Sequence, residues 1–197
     1  MQDVLLHCCC APCSSAILEW MLANDYRPTL FYFNPNIFPE TEYLIRKNEL
    51  TRYAKEKGLR VTDGDYDQAA WREAVKGHEM QPERGSRCQI CFNLRLTETA
   101  KVAKREGITL FTTTLASSRW KSLEQINEAG LLAQSLYPET QWWDRNWRKG
   151  GLQQRRNELL KENDFYNQLY CGCEFSMQRL EPEEIKRLMT QACPIEI

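Results

Sequence analysis

The chain has 197 residues, 26 lysines and arginines against 27 aspartates and glutamates, and a formal net charge of −1, so no overall positive field draws it to nucleic acid. No apolar run approaches the ~20 residues of a membrane-spanning helix, and the opening Met-Gln-Asp shows neither the basic nor the apolar part of a signal peptide. Nine cysteines in a chain expected to be cytoplasmic, with no membrane partner, point to metal or catalytic thiols rather than a disulfide framework.

In chain order, Val4-Leu5-Leu6 predicts a short buried strand, and Ser14 to Asp25 a helix capped by the serine. Thr29 to Phe33 predicts a second strand, ended by Asn34-Pro35-Asn36. Thr41 to Lys57 reads as a charged surface helix that stops at Gly58, followed by a weak strand at Leu59–Thr62 and a short helix at Asp67–Lys76. Phe92 to Arg105 repeats apolar residues at helical spacing, with Cys88 and Cys91 in the opening turn. Ile108 to Thr113 is β-branched and aromatic, a fourth strand. Leu123 to Leu136 is helical, and a last helix starts at Pro182 and aligns Ile185, Leu188, Met189 and Ala192.

Strands alternating with helices predict an α/β fold, a Rossmann-like (HUP-like) parallel sheet with helices on both faces. With no repeat or clear linker, residues 1–197 read as a single α/β domain. Residues 140–197 read as a helical appendage carrying the motif Cys171-Gly172-Cys173. Ligands of open parallel sheets bind beyond the carboxyl ends of the strands, where Cys8-Cys9-Cys10, Asn34-Pro35-Asn36 and Thr112-Thr113-Thr114 are expected.

The stretch HCCCAPCSS, His7 to Ser15, puts Cys8, Cys9, Cys10 and Cys13 at that edge. A crowded set followed at a distance by Cys88-Gln-Ile-Cys91 supplies four soft ligands in two pairs, suited to a tetrahedral zinc or a [4Fe–4S] cluster. Cys9 and Cys10 share one site only if the backbone turns between them, since strand side chains alternate faces. The strand-to-helix turn supplies the bend, and Cys8 reads as a small core residue. Cys171 and Cys173 reach each other only through a tight turn at Gly172, and the strained disulfide they would form is readily reduced. They read as a redox couple, or otherwise as two more metal ligands. A cluster beside an exchangeable dithiol suits two-electron reduction of a bound substrate. The competing reading is a zinc-stapled tRNA- or RNA-binding module without catalysis.

HCCCAPC, FYFNPNI (Phe31–Ile37), RCQICFNLRL (Arg87–Leu96) and YCGCEFS (Tyr170–Ser176) together resemble the cobalamin-independent epoxyqueuosine reductases, the QueH type, from about residue 3 to 176. The resemblance implies reduction of the epoxide of epoxyqueuosine, at the tRNA wobble position, to the cyclopentene of queuosine with loss of water. It implies a [4Fe–4S] cluster on Cys9, Cys10, Cys88 and Cys91, with Cys171 and Cys173 as the redox pair. A further iron would take Cys13 as a ligand. The implied partners are tRNAs for aspartate, asparagine, histidine and tyrosine carrying epoxyqueuosine, and an unidentified electron donor.

Two positions depart from the family pattern. Cys8 replaces an ordinary strand residue, which leaves the ligands open among Cys8, Cys9 and Cys10. Ser118-Arg119-Trp120 stands where Ser-Pro and an aromatic residue are expected. The sheet also resembles that of ATP-pyrophosphatases acting on tRNA bases, but their glycine-rich phosphate loop is replaced by Cys9 to Cys13, with Pro12 removing an amide donor, so ATP chemistry is not expected.

From Asp144 to Lys161 six cationic residues face two acidic ones beside Trp142, Trp143 and Trp147. This stretch reads either as a stacking and phosphate-binding surface for an anticodon loop or as a solvated helix beside buried tryptophans. Asn34, Asn36 and Glu42 read as a turn and helix start that can face substrate, Asp63 and Asp65 either as solvated loop residues or as ligands or proton donors to the epoxide oxygen, His7 as hydrogen-bonded near the site, His78 as surface, and Cys193 as a structural or free thiol.

Overall fold

The computed structural model describes residues 1–191, so Cys193 and Ala192 lie outside the described residues. Among the described residues five strands, β1 (Gln2–Cys8), β2 (Tyr26–Tyr32), β3 (Val61–Asp63), β4 (Leu110–Thr113) and β5 (Gln141–Trp142), form one parallel sheet in the order β3-β2-β1-β4-β5. The apolar run Val4-Leu5-Leu6 sits in β1, the middle strand, which is covered on both faces at these positions, and all three side chains are fully buried.

Seven α-helices among the described residues connect and flank the strands: α1 (Ala11–Ala23), α2 (Glu40–Glu56), α3 (Gln68–Ala74), α4 (Ser86–Arg105), α5 (Leu123–Leu136), α6 (Leu152–Glu162) and α7 (Pro182–Thr190). The chain runs from β1 outward to β3 on one side and returns to β4 and β5 on the other. Helix α1 packs against α2, and α4 against α5; the right-handed connection rule for parallel strands puts the two pairs on opposite faces of the sheet. The order reverses between β1 and β4, and the crevice above that reversal is where such a sheet binds ligands. No helix among the described residues is long and apolar enough to cross a membrane.

Several boundaries differ from the sequence reading, and three of them bear on the site and its surroundings. Helix α1 starts at Ala11 rather than Ser14, with Cys10 in the extended conformation as its N-cap and Pro12 in the first turn, where a missing N–H costs nothing. Ser14 is therefore not the cap; its Oγ lies inside the helix and donates back to the Cys10 carbonyl at 2.7 Å. Helix α4 begins at Ser86, so Cys88 and Cys91 fall in its first two turns.

The third difference concerns residues 140 onward, whose first part is not helical: Gln141–Trp142 pair with Leu110 and Phe111 as the edge strand. Gly130 of α5 makes room for this. A methyl group there would lie 2.2 Å from the Trp142 ring, which donates from Nε1 to Asn127 at 2.8 Å. Helix α6 then packs on α1, where Arg155 pairs with Glu19 at 2.8 Å.

Candidate functional site

The site begins where β1 ends. Cys8 points into the core, its thiol donating to the Leu6 carbonyl at 3.3 Å. At Cys9 the chain leaves the sheet, and its backbone N–H is held by Thr114 Oγ1, 3.2 Å away in the turn after β4. This crosslink spans the two strands that flank the reversal. Because Cys10 is extended and Cys13 falls in the first turn of α1, the sulfurs of Cys9, Cys10 and Cys13 all lie within 4.8 Å of one another. Among the described residues they are the one group of three close enough to hold a metal. Hydrogen bonds from Cys10 and Cys13, with Thr114 and the Arg95 charge, hold the Cys9 thiol well below its ordinary range. Burial pushes Cys10 the other way. A positive helix N-terminus completes the environment of a thiolate.

Helix α4 brings the second pair. Cys88 sits half-buried in its first turn and accepts the Arg84 backbone N–H at 3.3 Å, while burial raises its thiol. Cys91 is one turn on, in a small apolar cluster with Trp71, Val75 and Cys173.

The C-G-C segment arrives from far along the chain and is clipped to the loop after β2. Ile37 and Cys173 form an antiparallel bridge, and Phe38 N donates to the Gly172 carbonyl at 2.9 Å. Gly172 has φ +108, and a Cβ there would stand 2.8 Å from Ile37 Cγ1 and 3.1 Å from Arg46 Nη1, so only glycine fits. Beneath it lies a buried ion pair between Glu42 and Arg46, at 2.7 Å. Arg46 donates to the carbonyls of Tyr170 (3.2 Å) and Cys171 (3.4 Å), and Glu42 accepts from Tyr166 at 2.8 Å. Both C-G-C thiols are free. Hydrogen bonding from Cys173 holds the Cys171 thiol well below its ordinary value against burial, aided by the Lys121 charge and Ser176, whose Oγ is 3.2 Å from its sulfur. Cys173 is raised correspondingly.

These pieces enclose a cavity of about 620 Å³ above the β1/β4 reversal. Cys9, Cys13, Cys88, Cys91, Cys171 and Cys173 all line it, and Cys10 stands just behind, its sulfur 3.8 Å from that of Cys9. Three cysteine groups separated by up to 164 positions therefore share one chamber. The same wall carries seven arginines and one lysine against a single carboxylate, Glu83. In a chain of net charge −1, this concentrates positive potential at one mouth.

The other expected residues divide between cavity wall and scaffold. Asn34 is used as scaffold, donating to the Cys8 carbonyl at 2.9 Å and accepting from Arg95. Asn36 faces the cavity, but Glu42 does not; it is the buried partner of Arg46. Asp63 pairs with Lys47, and neither Asp63 nor Asp65 lines the cavity. His7 is buried with Nε2 donating to the Phe33 carbonyl at 3.0 Å and Nδ1 at 2.7 Å from the Thr113 hydroxyl. Burial, reinforced by the Arg95 charge, lowers its pKa to about 3, so it stays neutral.

Of the tryptophans beside the basic stretch, Trp142 and Trp147 are buried. Arg145 lies 3.8 Å over the Trp20 ring and also against Trp143 and Trp147, closing an aromatic cluster rather than presenting one. Only Arg156 among that stretch's cations reaches the cavity. Residues not foreseen in the wall include Arg46, Arg84, Arg95, Lys121 and Trp120. Arg95 carried a signal: it stands one turn after Cys91 on the same face of α4.

The chain matches the family model described as epoxyqueuosine reductase QueH over residues 4–179. The epoxyqueuosine reductase QueH of Haemophilus influenzae is 46% identical over 177 residues, covering 90% of this chain and 72% of that protein. That of Acinetobacter baylyi is 45% identical over 177 residues, with 90% and 81% covered. The Thermotoga maritima protein of the same name is 34% identical over 192 residues, spanning 95% of this chain and 97% of its own. Among solved structures, the predicted subunit of tRNA methyltransferase from Methanocaldococcus jannaschii superposes with a TM-score of 0.55 over 86% of this chain and 94% of its own, at 14% identity, a likeness of fold alone. The four motifs around the cavity all fall inside the matched span, and the chain belongs to the epoxyqueuosine reductase QueH family.

Proposed function

We propose that the chain reduces epoxyqueuosine in tRNA to queuosine, using an iron–sulfur cluster and the Cys171/Cys173 pair. The observation that carries this is the meeting of three cysteine groups in one positively lined cavity at the strand-order reversal. Removing an epoxide oxygen as water consumes two electrons and two protons and leaves a carbon–carbon double bond. A dithiol closing to a disulfide supplies two of each, which is the stoichiometry the C-G-C pair offers before an electron donor reopens it. Cys171, held toward thiolate by Cys173 and Lys121, is the more nucleophilic member.

The donor set fits a [4Fe–4S] cluster: Cys9, Cys10, Cys88 and Cys91 are free thiols at one chamber, with no harder ligand among them. Cys13 remains as a ligand for a further iron. When bound, the cluster supplies one-electron chemistry beside the dithiol. The chain's residues enclose the ligand, orient the C-G-C turn through Arg46, and attract a polyanion through the arginine-rich mouth. The closeness of Cys9, Cys10 and Cys13 also suits one soft metal such as zinc, the centre of the competing RNA-binding reading.

An anaerobic assay on tRNA bearing epoxyqueuosine separates the two. Wild type is expected to contain iron and acid-labile sulfide and to form queuosine. Cys88→Ser is expected to lose both iron and turnover, and Cys171→Ser to lose turnover while keeping its iron. Full turnover by Cys171→Ser would remove the redox role from the pair, and zinc without sulfide would remove the cluster.

A further inference from the structure

A substrate presented by an unpaired loop of RNA needs neighbouring bases held as well as the reacting one, and aromatic rings are the usual platforms. The tryptophans beside the basic stretch are taken up by packing, but Trp120 is 66% exposed and lines the cavity. An exposed indole is ordinarily an unremarkable surface residue; here its loop is held with unusual care. Arg84 donates to the Trp120 carbonyl at 3.0 Å and to the Arg119 carbonyl at 2.9 Å. Arg148 donates to the carbonyls of Ser118 (2.5 Å) and Lys121 (2.7 Å) on either side. Two arginines thus fix the backbone of four residues whose central side chain touches little of the protein. The Arg119 guanidinium lies 5.0 Å from the centroid of the Trp120 ring. Arg84, Arg119, Lys121 and Arg156 stand along the same wall, which suits a phosphodiester chain passing the ring.

We infer that Trp120 is a preorganised stacking platform for an unpaired base adjacent to the modified nucleotide, while the backbone cations receive the flanking phosphates. This rests on the reading of tRNA as substrate and names a contact for it. Preorganisation is what makes the ring useful, because ordering a free loop on binding would consume much of the stacking gain.

The test compares wild type with Trp120→Ala, Trp120→Leu and Trp120→Phe, all loaded with metal anaerobically. Binding of an unmodified anticodon stem-loop RNA is followed by fluorescence anisotropy, and KM and kcat are measured on epoxyqueuosine tRNA. Trp120→Ala is expected to weaken stem-loop binding by about tenfold, with KM rising more than kcat falls, and Trp120→Phe to recover most of the loss. Trp120→Leu should bind like Trp120→Ala, since bulk without a π face does not stack. Equal RNA affinity for Trp120→Ala and wild type would overturn the inference, as would Trp120→Leu matching Trp120→Phe. The inference falls alone if wild type forms queuosine and Trp120→Ala binds unchanged. The functional reading falls alone if wild type forms none yet Trp120→Ala still weakens stem-loop binding.

Discussion

Arg46→Leu should separate what holds the chain folded from what holds the C-G-C turn in place. Arg46 and Glu42 are 2% and 0% exposed, joined at 2.7 Å, so water contributes almost nothing to either charge. Removing the guanidinium leaves Glu42 buried with only the Tyr166 hydroxyl as partner, and orphans the carbonyls of Tyr170 and Cys171. Breaking one side of such a pair costs about 3–5 kcal/mol. Replacing both partners, Glu42→Leu with Arg46→Leu, removes the unpaired charge and should recover much of that stability. The carbonyls on either side of Cys171 stay unanchored in the double variant, so turnover should remain low. Anaerobic denaturant titration measures the first effect, and queuosine formation with iron content the second. A loss under about 1 kcal/mol for Arg46→Leu would refute the account of a desolvated pair. Wild-type turnover in the double variant would refute the positioning role.

Three further outcomes follow from single residues. His7 is neutral in the folded chain down to about pH 3, whereas its unfolded value is 6.5, so its contribution is intact above pH 6.5 and drains as the pH falls. At pH 5 the loss reaches about 2 kcal/mol, at ~1.36 kcal/mol per pH unit; urea titrations at pH 7 and pH 5 should show it in wild type and a flatter response in His7→Gln, and equal slopes would dismiss the buried neutral imidazole. Gly172→Ala should cost about 1–3 kcal/mol, because φ +108 and the Ile37 contact exclude a methyl group, and should cut turnover with iron retained; an unaffected variant would mean that the turn relaxes freely. Cys8→Ala should keep its iron and lose about 1 kcal/mol of packing, whereas Cys9→Ala should lose iron; the reverse pattern in metal analysis would shift the ligand register by one.

Much of the scaffold was readable along the chain because its signals are local. Val4 to Leu6 is apolar without alternation, as a strand covered on both faces must be, and Leu123 to Leu136 repeats at helical spacing up to Pro138. Strand β5 leaves no signal in the sequence because two residues carry no periodicity; its place is set by Gly130 admitting the Trp142 ring. The start of α1 is not legible in the sequence because Ser14 has the side chain of a cap, while the turn after β1 lets Cys10 take that position and Ser14 bond inward.

The cysteine spacings by themselves determined that soft-ligand or thiol chemistry was in play and where along the chain it lay, since residue type and spacing limit which chemistry four thiols can do. Only the tertiary structure decided that Cys8 turns to the core, that Glu42 faces Arg46 instead of the cavity, and that the tryptophans of the basic stretch are packed while Trp120 is not. Those outcomes depend on which segments meet across more than a hundred positions, and a one-residue change in where a strand ends reverses the direction of a side chain.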